Sequence, residues 1–396
     1  MGEWRIGMKF FHISDLHIGK QLHYYNMGDN QKDIFKQIVD KAMEYRPDVI
    51  IIAGDIYDKS VPSAEAYSIF DKFLNDLSDI MPNIPVLIIA GNHDSAERLN
   101  YASSFLKKHK IYISVNPPES EDEYLKKIVL EDEYGDVNFY LLPFTKPGYI
   151  RHLFEEGVVS SYDSAIEAII KRENIDYSKR NVLVSHQFYI AGEVTPDTCE
   201  SEQIYISVGG LDSVDVRHVM NFDYVALGHL HGAQSIGYEH IRYSGTPLKY
   251  SVSEEKHNKS ITMVTMGEKD SDLLIEKIAL HSNQDVRSEK GTLSEIISRA
   301  TDENRHDYIS ITLTDEDEIY KPKDQLEEHY DHILEVKIEN SRTKAQLEET
   351  NYDATILSPF EAFKQFYKDM QGVEMSQEEE MIMTDVISSL QEGEGE

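Results

Sequence analysis

The chain has one cysteine, Cys199, in 396 residues. No internal disulfide can form, which excludes the disulfide-stapled secreted scaffolds and points to a reducing, cytoplasmic compartment. A structural zinc site built on thiolates is excluded with it. No run of about 18 apolar residues occurs, the length a membrane span requires. The opening residues, MGEWRIGMKFF, lack the apolar core of a secretory signal; Met8 reads as a natural start, with residues 1–7 an extension. Positive charge is also scarce. Lys and Arg number 39 against 72 Asp and Glu, for a net charge of −33. Such a chain does not adhere to nucleic acid through a general basic surface, because that binding runs on Lys and Arg displacing counterions. A local positive site made by bound metal ions stays open. Part of the acidity is segregated, since residues 373–396 hold Asp and Glu but neither Lys nor Arg.

What the chain does have is a set of short Val- and Ile-rich runs, each ending in a polar cluster. MKFFHI leads into SDLH, DVIIIA into GDIYD, PVLIIA into GNHD, NVLV into SHQ, and DYVAL into GHLH. Runs of four to six such residues read as buried strands. Helical patterns at 29–45 and 63–80 lie between the early ones. The alternation is that of βαβ units, sheets with helices packed outside. Sites in such sheets form at the C-terminal ends of the strands, where all five clusters fall. The stretch 123–144 reads as a hairpin around Tyr134–Asp136. From about 276 the character changes to two helices and two alternating strands, a small α+β domain ending near 342. A polar linker follows, then two short amphipathic helices, and the terminal EGEGE is low-complexity.

The strand ends supply Asp15, His17, Asp55, Asp58, Asn92, His93, Asp94, His186, His229 and His231. Asp15 and His17, two apart at the end of a strand, project to one face, as do His229 and His231. Carboxylate, amide oxygen and imidazole form the mixed oxygen and nitrogen set that suits Mn²⁺, Fe²⁺ or Zn²⁺. So large a set exceeds one catalytic ion and fits two that share a bridging carboxylate, roughly 3.5–4 Å apart. Four positive charges against two aspartates leave such a centre positive, which favours a hydroxide and a phosphodiester anion. A lone histidine at a strand end is more often structural than a ligand, and GD or GN alone is ordinary turn chemistry. The weight lies in five independent ends. His186, in SHQ, has the least context, and His12, one position from the face of Ile13, reads as structural.

The motifs DLH, GDIYD, GNHD, SH and GHLH, in this order, resemble the calcineurin-like metallophosphoesterase superfamily, over most of the chain from Met8. The aspartate ending GNHD, the small domain after the last motif and the terminal helix pair are most similar to the nuclease subunits of bacterial double-strand-break repair complexes. The resemblance implies a four-layer αββα sandwich with a small α+β cap domain and a C-terminal helix pair. The domains would be a nuclease domain at 8–275, a DNA-binding cap at 276–342, a linker at 343–355 and a helix pair at 356–391. It implies two Mn²⁺ ions, or other divalent ions in their place. Asp15, His17, Asp55 and His231 would hold one, and Asp55, Asn92, His186 and His229 the other, with Asp55 bridging. His93 would be catalytic, donating a proton or hydrogen bond to the leaving oxygen or the phosphate, and Asp58 would orient it. The implied activity is that of a two-metal phosphodiesterase, a 3′→5′ exonuclease on double-stranded DNA and an endonuclease on hairpins and single strands. The implied setting is the cytoplasm, at the nucleoid, with an ATPase subunit as partner and a homodimer within a heterotetramer.

Two rivals use the same residues: a phosphatase acting on small molecules or proteins, and a non-catalytic scaffold that holds the ATPase on DNA. The cap and helix pair count against the first, the intact ligand set against the second. Expected helices at 63–80 and 95–108 carry Tyr67, Phe70, Leu74 and Leu99, Ala102, Phe105, Leu106 at helical spacing. These pack on their own sheet or, as the resemblance implies, across a two-fold axis. Arg287, Lys290, Arg299 and Arg305 of the cap are candidate phosphate contacts, and Lys20, just past the first motif, is a better one. At the C-terminus Phe360, Phe363, Phe366 and Tyr367 form one helical stripe. Ser376 and Glu379 fit a capping box that opens a second helix with Met381, Ile382, Val386, Ile387 and Leu390. Helices so short are marginal alone, and the expectation is a module that docks the ATPase partner.

Overall fold

The computed structural model describes residues 7–202, 213–341, 359–371 and a few positions between 374 and 383. The chain runs β1 (Met8–Ile13), α1 (Gly28–Tyr45), β2 (Val49–Ala53), α2 (Ala64–Ser78), β3 (Val86–Ile89) and β4 (Ile111–Ser114). It continues through β5 (Lys126–Asp132), β6 (Gly135–Leu142), α3 (Tyr162–Arg172), β7 (Arg180–His186), β8 (Tyr224–Gly228), β9 (Gln234–Ile236), β10 (Tyr238–Tyr243), β11 (Ser260–Met266) and β12 (Leu274–Ala279). Two six-stranded sheets result, in the orders β12-β11-β1-β2-β3-β4 and β9-β10-β8-β7-β6-β5. Strands β1 to β4 pair in parallel, and so do β6, β7, β8 and β10.

Both faces of β2 and β3 are buried, as expected for parallel strands covered on both sides. Alternate residues then divide between two interfaces. Phe10, Val49, Ile51 and Leu87 meet Phe139, Val182, Val184 and Tyr224 of the second sheet. Phe11, Ile50, Ile52 and Ile88 face outward, onto Ile34, Phe35 and Ile38 of α1 and Phe70 and Phe73 of α2. The outer face of the second sheet is covered by Ala165, Ile166 and Ile169 of α3. The layers are therefore αββα, as expected. Phe35 stacks on Phe73 with ring centroids 4.7 Å apart, and truncating either to alanine costs about 3–5 kcal/mol.

Two expectations change. The helix expected over 95–108 is two turns, Ala96–Leu99 and Ser103–Leu106. Ala102 between them has φ 62°, and a left-handed residue cannot sit inside a right-handed helix. Also, β12 pairs with β11 along its length up to Ala279, so a domain border at 275/276 falls inside a strand of the first sheet.

Beyond it, β13 (Val286–Gly291), α4 (Leu293–Arg299), β14 (Tyr308–Leu313), α5 (Pro322–Glu327) and β15 (His332–Ile338) form a three-stranded sheet with two helices. A capping box of Thr292 and Glu295 starts α4. Val286, Tyr308 and Leu334 pack on Leu22 and Met27, which fixes the cap against the segment just after the first motif. The C-terminal helix α6 (Pro359–Gln371) carries Phe363 and Phe366 with rings 6.2 Å apart. The Ser376–Glu379 box is present, Ser376 N–H donating to Glu379 Oε2 and Glu379 N–H to Ser376 Oγ. The linker at 343–355 and Met381, Ile382, Val386, Ile387 and Leu390 lie outside the described residues.

Candidate metal centre

The polar clusters after β1, β2, β3, β7 and β8 meet at one end of the two sheets. The loops are tied together by their main chains: Asp15 N–H donates to Gly54 O and His17 N–H to Asp55 O, both at 3.0 Å. Asp15, His17, Asp55 and His229 have φ of 53°, 42°, 49° and 103°. Positive φ at such residues costs of order 1–3 kcal/mol and survives only where the surroundings over-determine it. Part of that determination comes from Asp94, whose carboxylate accepts Ile56 N–H, Tyr57 N–H and Gly91 N–H at 2.9–3.1 Å. Gln31 of α1 does the same for the first loop, accepting Gly19 N–H and donating to His17 O and Tyr250 Oη. The glycines that open GNHD and GHLH are matters of close approach. A Cβ at Gly91 would collide with Asp55 Oδ1, and one at Gly228 with Ala53 O and His186 Nδ1.

All seven expected ligands are brought together. Asp15, His17 and His231 offer atoms within 4.8 Å of one another, and so do Asp15, Asp55 and His186. His17 Nε2 lies 3.1 Å from His231 Nε2. Asn92 Oδ1 lies 3.1 Å from His186 Nε2 and 3.0 Å from His229 Nδ1. Between these halves sits Asp55 Oδ2, 3.3 Å from His186 Nε2 and 3.7 Å from His17 Nε2. The facing Nε2 atoms of His17 and His231 are the telling feature. Two imidazole nitrogens at that distance repel through their lone pairs unless a proton or a cation lies with them, and the donors around them are nitrogen and oxygen of the kind that hold Mn²⁺, Fe²⁺ or Zn²⁺. The residues fit divalent metal.

The electrostatics agree. Burial would push the Asp55 carboxyl up, but His186 and His17 beside it hold it well below the ordinary value. Burial lifts Asp15 to about 6, His186 opposing and Asp55 adding to the rise. Burial would lower His186, yet the Asp55 carboxylate carries it up to about 9. His229 is pushed down to about 3 by burial and by His186. Asp55 thus stays a carboxylate while Asp15 and His186 draw in protons, and a cation satisfies the same negative potential.

His93 stands beside the cluster. Its N–H donates to Asp55 Oδ1 at 2.9 Å, and its ring Nδ1 lies 2.9 Å from the main-chain carbonyl of Asp58. A carbonyl only accepts, so Nδ1 carries a proton and the Nε2 lone pair points the other way. The contact between Asp58 and His93 is made by the backbone of Asp58. Its carboxylate instead pairs with Lys20 Nζ at 2.8 Å and faces His17 Nδ1 at 3.7 Å. His12 is placed as expected, between the sheets, against Tyr224 Oη and Leu227 O. The sequence reading missed Gln31, Tyr250, Ser201 and Glu254. Each is polar, each sits in an unremarkable stretch, and only burial against the ligand loops marks it out.

A four-layer sandwich with this donor set at its strand ends defines a metallophosphoesterase. A family model of calcineurin-like phosphoesterases matches residues 8–233, and one described as the type 5 capsule protein repressor C-terminal domain matches residues 282–371. The SbcD component of the nuclease SbcCD from Staphylococcus epidermidis is 31% identical over 396 residues, 98% of this chain and 100% of that protein. The chain belongs to the calcineurin-like phosphoesterases, in the SbcD family. Among solved structures, a dimetal phosphatase from Danio rerio is 12% identical with a TM-score of 0.39, covering 71% of this chain and 99% of that one. GAP50, the anchor in the inner membrane complex of Plasmodium, is 13% identical with a TM-score of 0.37, covering 70% and 90%.

Proposed function

We propose that the chain is the Mn²⁺-dependent nuclease subunit of an SbcCD-type DNA double-strand-break repair complex. It acts as a 3′→5′ exonuclease on double-stranded DNA and as an endonuclease on hairpins and single strands, with the ATPase SbcC as its partner. The observation that carries this reading is the donor set, seven buried or half-buried ligands from five loops with Asp55 Oδ2 between the two halves. Asp15, His17, Asp55 and His231 hold one ion; Asp55, Asn92, His186 and His229 hold the other. When bound, the two ions supply positive charge toward the phosphodiester and acidify water. Around them the chain's own groups act. Asp15 and Asp55 offset only part of the metal charge. His93, with Nδ1 tied to the Asp58 carbonyl, presents Nε2 to the leaving 3′ oxygen and protonates or hydrogen-bonds it. Lys20 lies beside Asp58 where a backbone phosphate would pass.

The cap, beginning beyond Ala279 with the sheet that opens at Val286, is the DNA-binding domain, and the helix pair at 356–391 docks SbcC through its Phe stripe. Two chains pair within a heterotetramer, in the cytoplasm at the nucleoid. Of the residues expected at the dimer contact, Phe70, Leu74 and Leu99 are buried in the chain's own core, while Tyr67 and Phe105 are 37% and 60% exposed. Tyr67→Asp with Phe105→Asp should therefore halve the mass in solution, and an unchanged mass rejects the contact.

The function itself is tested by incubating linear duplex DNA, hairpin DNA and p-nitrophenyl phosphate esters with the protein, with Mn²⁺ or EDTA, with and without SbcC. Cleavage of DNA that EDTA abolishes supports the reading. Ester hydrolysis with no DNA cleavage under any of these conditions makes the protein a phosphatase.

A further inference from the structure

On the Nδ1 side of His231, away from the other ligands, lies a polar network that the chemistry above does not use. Glu254 is fully buried, although it comes from the hydrophilic stretch SVSEEKHNKS. Its Oε1 accepts Ser201 Oγ–H at 2.7 Å and Tyr250 N–H at 3.1 Å, and lies 3.3 Å from His231 Nδ1. Its Oε2 accepts Lys259 Nζ–H at 2.5 Å and lies 3.2 Å from Thr246 Oγ1, whose one proton goes to Leu248 O at 2.6 Å. Lys259 Nζ also donates to His231 O at 3.0 Å. A buried ion pair is expensive to desolvate and is weak evidence for stability as such. Here its partners converge on one residue. Thr246 N–H donates to His231 O as well, and His231 N–H donates to Glu202 Oε1 at 2.6 Å.

The hydrogen-bond order follows from counting protons. Ser201 Oγ lies 2.7 Å from His231 Nδ1. A hydroxyl has one proton, and this one goes to Glu254. The Ser201 oxygen is then left to accept, so Nδ1 must carry the imidazole proton. In the neutral ring that leaves the Nε2 lone pair bare on the opposite side, where it faces His17 Nε2. The reverse tautomer would put a proton where a metal ion belongs.

We propose that Glu254, acting through Ser201 and balanced by Lys259, is a positioning residue that holds His231 in the Nδ1–H tautomer and so presents Nε2 to the metal. The proposal rests on the reading of His231 as a ligand. It also makes the two halves of the centre unequal. His186 has its Nδ1 tied to the main-chain carbonyl of Ala53 at 2.8 Å, which no side-chain substitution removes. His231 depends on side chains.

The experiment titrates the full-length protein with Mn²⁺ alone, counting bound ions by manganese EPR and calorimetry. Ser201→Ala and Glu254→Gln should each weaken one of the two ions by roughly 10–100-fold, the usual range for such outer partners, and leave the other unchanged. Ser201→Thr keeps the hydroxyl and should bind as the unaltered protein does. Ser201 is only half-buried, so its variants keep the test sound where Glu254→Gln, which strips Lys259 of its counter-ion, fails to fold. Unaltered affinity for both ions in Ser201→Ala overturns the relay. Equal weakening of both ions in Ser201→Ala overturns it too, as a general structural effect. His231→Ala separates the underlying reading: if it still binds two ions at full strength, His231 is not a ligand and the proposal falls with it.

Discussion

Two kinds of buried histidine lie within a few residues of each other. His12 is inside the sandwich, with Nδ1 3.0 Å from Tyr224 Oη and Nε2 3.1 Å from Leu227 O. His17, His186 and His231 of the rim are just as buried, but each shows one nitrogen to other ligand-type groups. His186 is pinned at Nδ1 by Ala53 O, and His231 at Nδ1 by Ser201; their Nε2 atoms look toward Asp55 and Asn92, and toward His17. Burial alone thus does not separate a structural histidine from a metal ligand. What separates them is what faces the second nitrogen, a phenol or a backbone carbonyl at His12 and a carboxylate, amide oxygen or second imidazole of the ligand set at the rim. At His12 burial keeps the ring neutral, and at the rim the converging donors suit a cation.

The strongest way to break this contrast is at the group on which both halves of the rim depend. Asp55 Oδ1 is used by His93 N–H, while Oδ2 faces His186 and His17. Asp15, by comparison, spends its oxygens on His229 N–H at 3.0 and 3.1 Å and on Ser14 Oγ. Asp55→Asn should therefore lose both ions and all turnover. Asp15→Asn should lose chiefly one ion. Metal content per chain, measured by mass spectrometry after gel filtration, decides it, and losses of equal size in the two variants would remove the bridging role.

Next in size is the one rim histidine that is not a ligand. His93→Ala should lower DNA cleavage by about 10²–10⁴-fold, the range for a lost general acid, with both ions retained. Because the Asp58 carbonyl rather than its carboxylate holds the His93 ring, Asp58→Asn should cost less than about tenfold. A variant of His93 that comes out metal-free would make it a ligand. An Asp58→Asn protein as slow as His93→Ala would return the orienting role to the side chain.

His12 sharpens the comparison from the other side. Burial first, with the Arg242 charge adding and the Leu227 hydrogen bond opposing, pushes its pKa from 6.5 down to about 3. The sign follows from which state takes the proton. As pH falls through 6.5 the unfolded chain gains it and the folded chain does not, so stability declines by about 1.4 kcal/mol per unit until near pH 3. Between pH 7 and 5 that is a loss of about 2 kcal/mol attached to this one ring. Urea unfolding in EDTA should show a shallower decline in His12→Gln, by about that amount, since the rim histidines titrate in both proteins and cancel. Equal declines would mean that the ring takes up a proton inside the sandwich.

The same contrast explains what could be read from the chain in advance. The rim ligands were legible because five strand ends carry donors where βαβ sheets place their sites. His12 was legible as structural from strand alternation beside Ile13. Glu254 was not, because SVSEEKHNKS has the composition of a solvated loop, and only the fold reveals that one of its carboxylates is buried. Gln31 was hidden for a like reason: in the pattern of α1 it is one polar position among many, until the helix seats it under the first motif. The break at Ala102 had no Gly or Pro to announce it. Sequence points to the Asp58 side chain, whereas the contact with His93 is made by a carbonyl that any residue would carry.

The smallest expected effect concerns charge at the cap. Arg287, Arg299 and Arg305 were candidates for phosphate contact, but each is engaged within the cap: Arg287 with Asp307 and Glu289, Arg299 with Glu289, Arg305 with Asp331, at 2.7–3.1 Å. Exposed pairs of this kind contribute about 0–1 kcal/mol, and guanidinium groups already facing carboxylates release few counterions from DNA. Arg299→Gln with Arg305→Gln should thus leave the salt dependence of duplex binding unchanged and lower stability by less than about 1 kcal/mol. Lys20 is the control. Its partner Asp58 belongs to the rim, beside His17 and His93, and a phosphate entering there competes for it. Lys20→Gln should reduce the slope of log affinity against log salt by about 0.9, the value of one phosphate contact on duplex DNA. A slope that falls by two such steps in the Arg299/Arg305 variant, and by none in Lys20→Gln, would move the DNA path from the rim onto the cap and show that the arginines exchange their carboxylates for phosphates when DNA arrives.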